Sequence, residues 1–307
     1  MTLRRPLLLL YLAAFVAVGC GSDADGPSPI RQSPTGLVTA ESSFGYAVTG
    51  SRLDSVLQSK PPIGIVARID HAANAASVDD SLRPTHVTLF GNPELGTPLI
   101  QRDPLAGLDL PQRMLVYETP DGRAMLLYHS VEYLVRRHGL EGVGTLPAMR
   151  QALQGLAAEI TDSTVTPTDS VTVDEGAGII EVGSDASVDE TVARLRAAVE
   201  RTDGLSVMAT LDHAANAERV GMDLPPAQLV VLGNPALGTP LMNDAPTLAI
   251  DLPQKMLVYE DDDGTVRIAH NDPFFLADLH MLSGQEERLQ SIADALAALA
   301  DQAARGA

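Results

Sequence analysis

Along this chain the same succession of alternating and helical apolar spacings occurs twice. Residues 37–40 and 178–182 are short apolar runs that predict strands. A helix is predicted after each. In the later copy Val188, Val192, Leu195 and Val199 fall on one face at helical spacing; the earlier copy has Val48, Leu53, Val56 and Leu57. Ser187-Val188-Asp189-Glu190 predicts a capping box, in which the Ser and Glu side chains each satisfy the other's free amide. Gly45 and Gly50 in the earlier copy predict a weaker start. Residues 63–69 and 205–211 read as strands that end at an Asp-His pair, followed by Ala-rich helical segments at 72–76 and 214–220. Apolar strands at 87–90 and 229–232 end in Gly-Asn-Pro. Asn92 and Asn234 are placed to cap a helix there, with Pro93 and Pro235 at the first position, where a missing amide costs nothing. Strands at 114–118 and 256–260 turn back at Asp121-Gly122 and Asp263-Gly264 into strands at 125–128 and 266–270. Leu146, Met149, Leu153 and Leu156, then Leu289, Ile292, Leu296 and Leu299, form the single stripes of two closing helices. Each stripe needs a sheet to cover.

The recurrence is a duplication. Residues 36–140 align with 178–282 without a gap, and 38 of the 105 aligned positions are identical. Identities cluster in Asp-His-Ala-Ala-Asn-Ala (70–75, 212–217), Gly-Asn-Pro (91–93, 233–235), Leu-Gly-Thr-Pro-Leu (95–99, 237–241), Asp-Leu-Pro-Gln (109–112, 251–254) and Met-Leu-Val-Tyr-Glu (114–118, 256–260). In this order the blocks resemble domain-of-unknown-function family 302 (DUF302), across both copies. The resemblance implies an α+β fold of the TATA-binding-protein-like class. Each copy would be one β-α-β4-α unit, an antiparallel sheet with helices on one face. It implies no established activity. The expected domains are 36–160 and 178–307, joined by a Thr/Ser/Asp-rich linker at 161–177. The two copies are expected to pack as an intramolecular pseudo-dimer.

Composition narrows the function. Apolar residues make up 45% of the chain, aromatics only 4%, and Trp is absent, so the cores are aliphatic and base-stacking platforms are scarce. The formal net charge is −19, and losing residues 1–19 with Arg4 and Arg5 makes it −21. Such a surface repels phosphate backbones, which excludes nucleic acid as an expected partner.

The N-terminus changes the picture again. Arg4 and Arg5 precede an apolar run, 6–18, too short to span a bilayer, and Ala17-Val18-Gly19-Cys20 looks like a bacterial lipobox. Residues 1–19 are then a signal peptide, Cys20 is the lipidation site, and 20–35 is a tether rich in Gly, Ser, Asp and Pro. The expected location is the cell envelope, held to a membrane by lipid. Gly21 and Ser22 in place of Asp after the cysteine favour the periplasmic face of an outer membrane where the host has one.

Candidate chemistry centres on the shared blocks. Asp70, His71 and Asn74, with Asn92, and their copies Asp212, His213, Asn216 and Asn234, are candidate ligand-binding residues. Two roles stay open for the Asp-His pair: a polar cluster that meets a ligand or acts as a base, and a cap for the Ala-rich helix. His138 and His280 form a second aligned pair. No H-x-x-x-H, H-E-x-x-H or Cys cluster is present, so no metal or other cofactor is expected, and a site built from His71 and His138 is unforced. The expectation is a non-catalytic module for a small ligand or an envelope protein. A hydrolase or metal enzyme using the Asp-His motif, and a purely structural role, are the alternatives.

Overall fold

The fold comes from a computed structural model that describes residues 36–165 and 171–306. The signal peptide, the tether with Cys20, and the middle of the linker (166–170) lie outside the described residues. The first repeat runs β1 (Leu37–Glu41), α1 (Tyr46–Gln58), β2 (Gly64–Asp70), α2 (His71–Ala76), β3 (Thr85–Gly91), α3 (Pro93–Arg102), a 3-10 turn (Pro104–Leu108), β4 (Gln112–Glu118), β5 (Ala124–His129), α4 (Val131–His138) and α5 (Leu146–Thr161). The second repeats this order: β6 (Ile179–Gly183), α6 (Val188–Glu200), β7 (Ser206–Asp212), α7 (His213–Glu218), β8 (Ala227–Gly233), α8 (Pro235–Asp244), a 3-10 turn (Pro246–Ile250), β9 (Gln254–Glu260), β10 (Val266–Asn271), α9 (Pro273–Leu279) and α10 (Glu286–Arg305). Each repeat is thus the expected β-α-β4-α unit with short helices inserted. α4 and α9 have no counterpart in the apolar pattern, which they are too short to display.

Both sheets are five-stranded and antiparallel, ordered β1-β5-β4-β3-β2 and β6-β10-β9-β8-β7. The central strands are buried on both faces. In β4, Met114 and Val116 share a core with Leu53 and Leu57 of α1 and Leu153 and Leu156 of α5. Leu115 points the other way, with Val87, Leu89 and Leu127, and these four belong to one continuous core with the second repeat. Helices cover one face of the sheet, as expected, and the other repeat covers the second face. That is why residues 112–116 are buried without a break instead of alternating. Contacts between the repeats run from β4 to the 246–250 turn, from β9 to the 104–108 turn, from α2 to α8 and from α3 to α7.

Local signals behave as their chemistry requires, with one departure. Asn92 Oδ1 accepts from the Glu94 amide and Asn234 Oδ1 from the Ala236 amide, both at 3.0 Å. Gly122 and Gly264 take positive φ in the hairpin turns. α1 starts at Gly45 without a side-chain cap. Only half of the capping box forms: Ser187 Oγ accepts from the Glu190 amide at 3.3 Å, while the Glu190 carboxylate pairs with Arg194 at 2.7 Å. A guanidinium one turn along is a better partner for that carboxylate than a neutral amide. Among the described residues, no helix is long and apolar enough to cross a membrane.

Candidate functional site

The Asp and His of the paired motif do different jobs, because neighbouring residues at a strand end point to opposite sides. Asp70 and Asp212 are exposed N-caps: their Oδ1 atoms accept from the amides of Ala73 (2.9 Å) and Ala215 (2.8 Å). His71 and His213 turn inward and are buried. His71 Nε2 donates to the carbonyl of Ala249, and His213 Nε2 to the carbonyl of Gly107, each at 3.0 Å. Both carbonyls lie in the 3-10 turn of the other repeat. A carbonyl only accepts, so each imidazole carries its proton on Nε2. Burial pushes both histidines down to about 4, and the hydrogen bond to the carbonyl recovers only part of that, so they are neutral near pH 7. A Cβ at Gly107 would stand 3.1 Å from Leu257 and 3.4 Å from the His213 ring, so glycine permits this approach. With Nε2 committed to a carbonyl, these histidines act as two reciprocal latches between the repeats.

Between the latches lies a buried ionic cluster. Asp109, just after the first 3-10 turn, meets Arg137 (2.7 Å), His138 (3.0 Å), Arg113 (3.2 Å) and Lys255 (3.5 Å). Asp251, its copy, meets His280 and Arg113 (both 2.8 Å), His129 (2.9 Å) and Lys255 (3.9 Å). Arg113 of β4 and Lys255 of β9 occupy matched positions, and each touches both carboxylates. Arg137 also donates to Asn271 Oδ1 of the second repeat at 2.7 Å. Burial opposes ionisation of Asp109, but Arg137, Lys255 and His138 outweigh it and hold the carboxyl well below the usual range. Burial acts on Asp251 in the same way and is outweighed by His129 and Arg113. The two arginines already balance the two carboxylates. Lys255 is therefore surplus: burial, then the charge of Arg113, pushes its amine down to about 8. His138 differs, since its two ring nitrogens face Asp103 and Asp109, both at 3.0 Å. Burial lowers its pKa, but these two hydrogen bonds more than reverse that, so the ring keeps its second proton more firmly than a free imidazole.

The remaining candidate residues meet in two clefts, and each cleft draws on both repeats. Asn92 and Pro93, at the start of α3, face His213, Asn216 and Arg219 across a cleft of about 1020 Å³. Asn234 and Pro235 face His71 and Asn74 across the matched cleft, which measures only about 70 Å³. Two substitutions between the copies fall in these walls. Met208 Cε lies 3.3 Å from where a Cβ on Gly233 would stand, so the methionine covers that glycine. Val66 occupies the matched place in the large cleft, and a Cβ on Gly91 would meet only Pro111, at 3.4 Å. Met242 likewise lines the small cleft where Ile100 lines the large one. The large cleft is walled mainly by apolar residues, Ile65, Phe90, Leu110, Leu153 and Leu156 among them, with polar groups such as Asn92, Gln112 and Gln151 between them.

The sequence candidates are thus divided. Asn92 meets His213 and Asn216, Asn234 meets His71 and Asn74, and the aspartates stay outside as caps. His71 and His138 do not share a metal site: among the described residues, no group of three or more His, Cys, Asp or Glu could hold a metal ion. The ionic cluster escaped sequence reasoning, although a signal was present. In both copies the Asp of Asp-Leu-Pro-Gln is followed four residues later by a cation, Arg113 or Lys255. Arg219 gave no signal, since its matched residue is Ser77.

Curated proteins are similar to part of this chain. "Fluoride-specific ion channel FluC 1" of Brucella suis biovar 1 (strain 1330) is 43% identical over 105 residues, 34% of this chain and 41% of that protein. "Fluoride-specific ion channel FluC 2" of Brucella melitensis biotype 1 is 43% identical over 105 residues, 34% of this chain and 38% of that protein. The chain therefore spans about two fifths of the length of these curated relatives. Among solved structures, an uncharacterized conserved protein DUF302 from Bacillus stearothermophilus is similar at 23% identity. That match covers 41% of this chain and 98% of the other, with a TM-score of 0.38. The family described as "Domain of unknown function DUF302" matches residues 38–160 and again 180–304, so the chain belongs to the DUF302 family and holds two of its domains in tandem.

Proposed function

We propose that this protein is an envelope lipoprotein that binds one small, largely apolar ligand in the cleft between Asn92 of the first repeat and Asn216 of the second. The observation that carries the reading is the inequality of two clefts built from duplicated sequence. One has about 1020 Å³ open, at the upper end of ligand pockets of roughly 300–1,000 Å³. The other has about 70 Å³ and is lined by Met208 and Met242. A duplication that served stability alone would have no reason to keep one apolar cleft open, since an exposed apolar wall carries a solvation cost. The binding reading asks for no nucleophile, which suits a cleft whose one histidine is already bonded to a backbone carbonyl.

The test is a titration of the full-length chain with N-phenyl-1-naphthylamine, a neutral apolar dye that fluoresces when it leaves water. Saturation at one dye per chain is expected. Val66→Met with Ala152→Trp adds bulk at two points of the lining and should abolish the signal. A wild-type signal that survives this pair of substitutions would place the dye elsewhere and refute the reading.

The address rests on sequence: the basic start, the 13-residue apolar run and Ala17-Val18-Gly19-Cys20. The relatives named as channels support a working place beside a membrane. Cys20→Ser is expected to release the protein from the membrane fraction and to remove a lipid-sized increment from the mass of residue 20 in the mature chain. An unchanged mass would count against lipidation.

A further inference from the structure

We infer that the ligand of the open cleft is a single-chain amphiphile with one anionic head, of the fatty-acid class, and that Arg219 receives the head. The inference rests on the binding role proposed for that cleft and specifies its chemistry.

The walls favour a ligand that is largely hydrocarbon. Ile65, Phe90, Leu110, Leu153 and Leu156 present hydrocarbon, and much of the polar lining is already used. Asn92 Oδ1 caps α3. His213 Nε2 holds the Gly107 carbonyl. Gln112 Nε2 lies on the sulfur of Met149. Hydroxyl groups of a sugar would leave water and find too few partners.

The edge of the cleft supplies one unmatched positive charge. Two cations line it, Lys60 and Arg219. Lys60 is neutralised by Glu159 at 3.0 Å. Arg219 has no carboxylate partner among the described residues; its Nη1 donates to Asn216 Oδ1 at 2.9 Å. That bond orients the guanidinium, leaves its other N–H donors for a ligand, and leaves the Asn216 amide NH₂ as a second donor beside it. A fork of N–H groups next to an amide matches the two oxygens of a carboxylate. His213, neutral, adds no charge, so the head faces one cation and one negative charge balances it. The closed cleft has Ser77 where the open one has Arg219, so the cation accompanies the open space and not the duplication. At the edge of an apolar cleft, a cation without a carboxylate partner is placed to receive an anionic head.

The test compares two dyes of nearly the same shape on the full-length chain. 1-Anilinonaphthalene-8-sulfonate carries one anionic group; N-phenyl-1-naphthylamine lacks it. The anionic dye is expected to bind at one per chain and about tenfold more tightly than the neutral dye. Arg219→Ala should remove that advantage and leave the neutral dye unchanged, and Arg219→Lys should restore part of it. Equal affinity of the two dyes, or an anionic dye indifferent to Arg219→Ala, would overturn the anionic class while the cleft remains a site. Failure of both dyes to bind would overturn the site and this inference together.

Discussion

Acidification from pH 6.5 to 4 is expected to cost the folded chain about 5 kcal/mol at His71 and His213 together, in equal parts. In the fold each histidine is held near 4 by burial; in the unfolded chain each returns to its ordinary 6.5. Between those values the unfolded chain binds two protons that the folded chain refuses, so stability is complete above pH 6.5 and falls as pH falls. His138 works the other way. Its folded pKa is raised, so its contribution is complete below pH 6.5 and is lost as pH rises through the folded value. Asp109 and Asp251 are held well below 3.8, so their stabilisation begins to be lost only as pH falls through that value. Burial also lowers His86, His129 and His270, which add to the loss in the same direction, so the window below 6.5 belongs to the buried histidines, of which the two latches are held lowest, near 4. The measurement is the urea midpoint at pH 7, 5.5 and 4.5, for the wild type and for His71→Gln with His213→Gln. Glutamine keeps a neutral N–H donor without a titrating ring, so the double variant should show a flatter dependence, with the part due to His86, His129 and His270 left in place. Relief of the protein's negative charge on acidification acts on both and cancels in the comparison. A wild-type midpoint that does not move between pH 7 and 4.5 would contradict the neutral latch.

The second large effect is expected at the centre of the interface. Asp109→Asn should cost about 3–5 kcal/mol, the range for breaking a buried ion pair by removal of one partner. For a chain of this size that lowers the thermal midpoint by roughly 10 °C. The loss is large because four cationic or potentially cationic groups, Arg113, Arg137, His138 and Lys255, converge on this carboxylate and have no water to turn to. Lys255 is the group the cluster needs least, as its depressed pKa shows. Adding Lys255→Met to Asp109→Asn should therefore recover part of the loss. The double variant would then be more stable than the sum of the single effects allows, the mark of residues in direct contact. Asp109→Asn within 1 kcal/mol of the wild type would mean that the cluster adds little to holding the repeats together.

Together the latches and the cluster explain why the shared blocks are shared. Asp-His-Ala-Ala-Asn-Ala supplies a cap, a latch and one cleft wall; Asp-Leu-Pro-Gln supplies the carboxylate at the centre of the interface. What the copies do not share, Val66 against Met208, Ile100 against Met242 and Ser77 against Arg219, is where the proposed function resides. A duplicated chain can keep one surface for joining its halves and let the two sites diverge, because substitutions in a cleft at the edge of the interface leave the interface itself intact.

The chain's own pattern determined the duplication, the β-α-β4-α order, the Asn92 and Asn234 caps, the hairpin glycines and the stripes of α5 and α10. These follow from spacing and local stereochemistry, and a residue's neighbours in sequence decide them. Tertiary structure alone decided that the second face of each sheet is covered by the other repeat. A run such as 112–116 reads as buried but does not say by what. It alone decided that His71 and His213 bond the opposite repeat, since Gly107 and Ala249 are separated from them by 106 and 178 residues. It decided also that Asn92 meets Asn216 and not Asn74. Within one copy, α2 and α3 look like parts of a single site. Packing the copies face to face exchanges the partners, and each cleft is completed by residues that periodicity cannot relate.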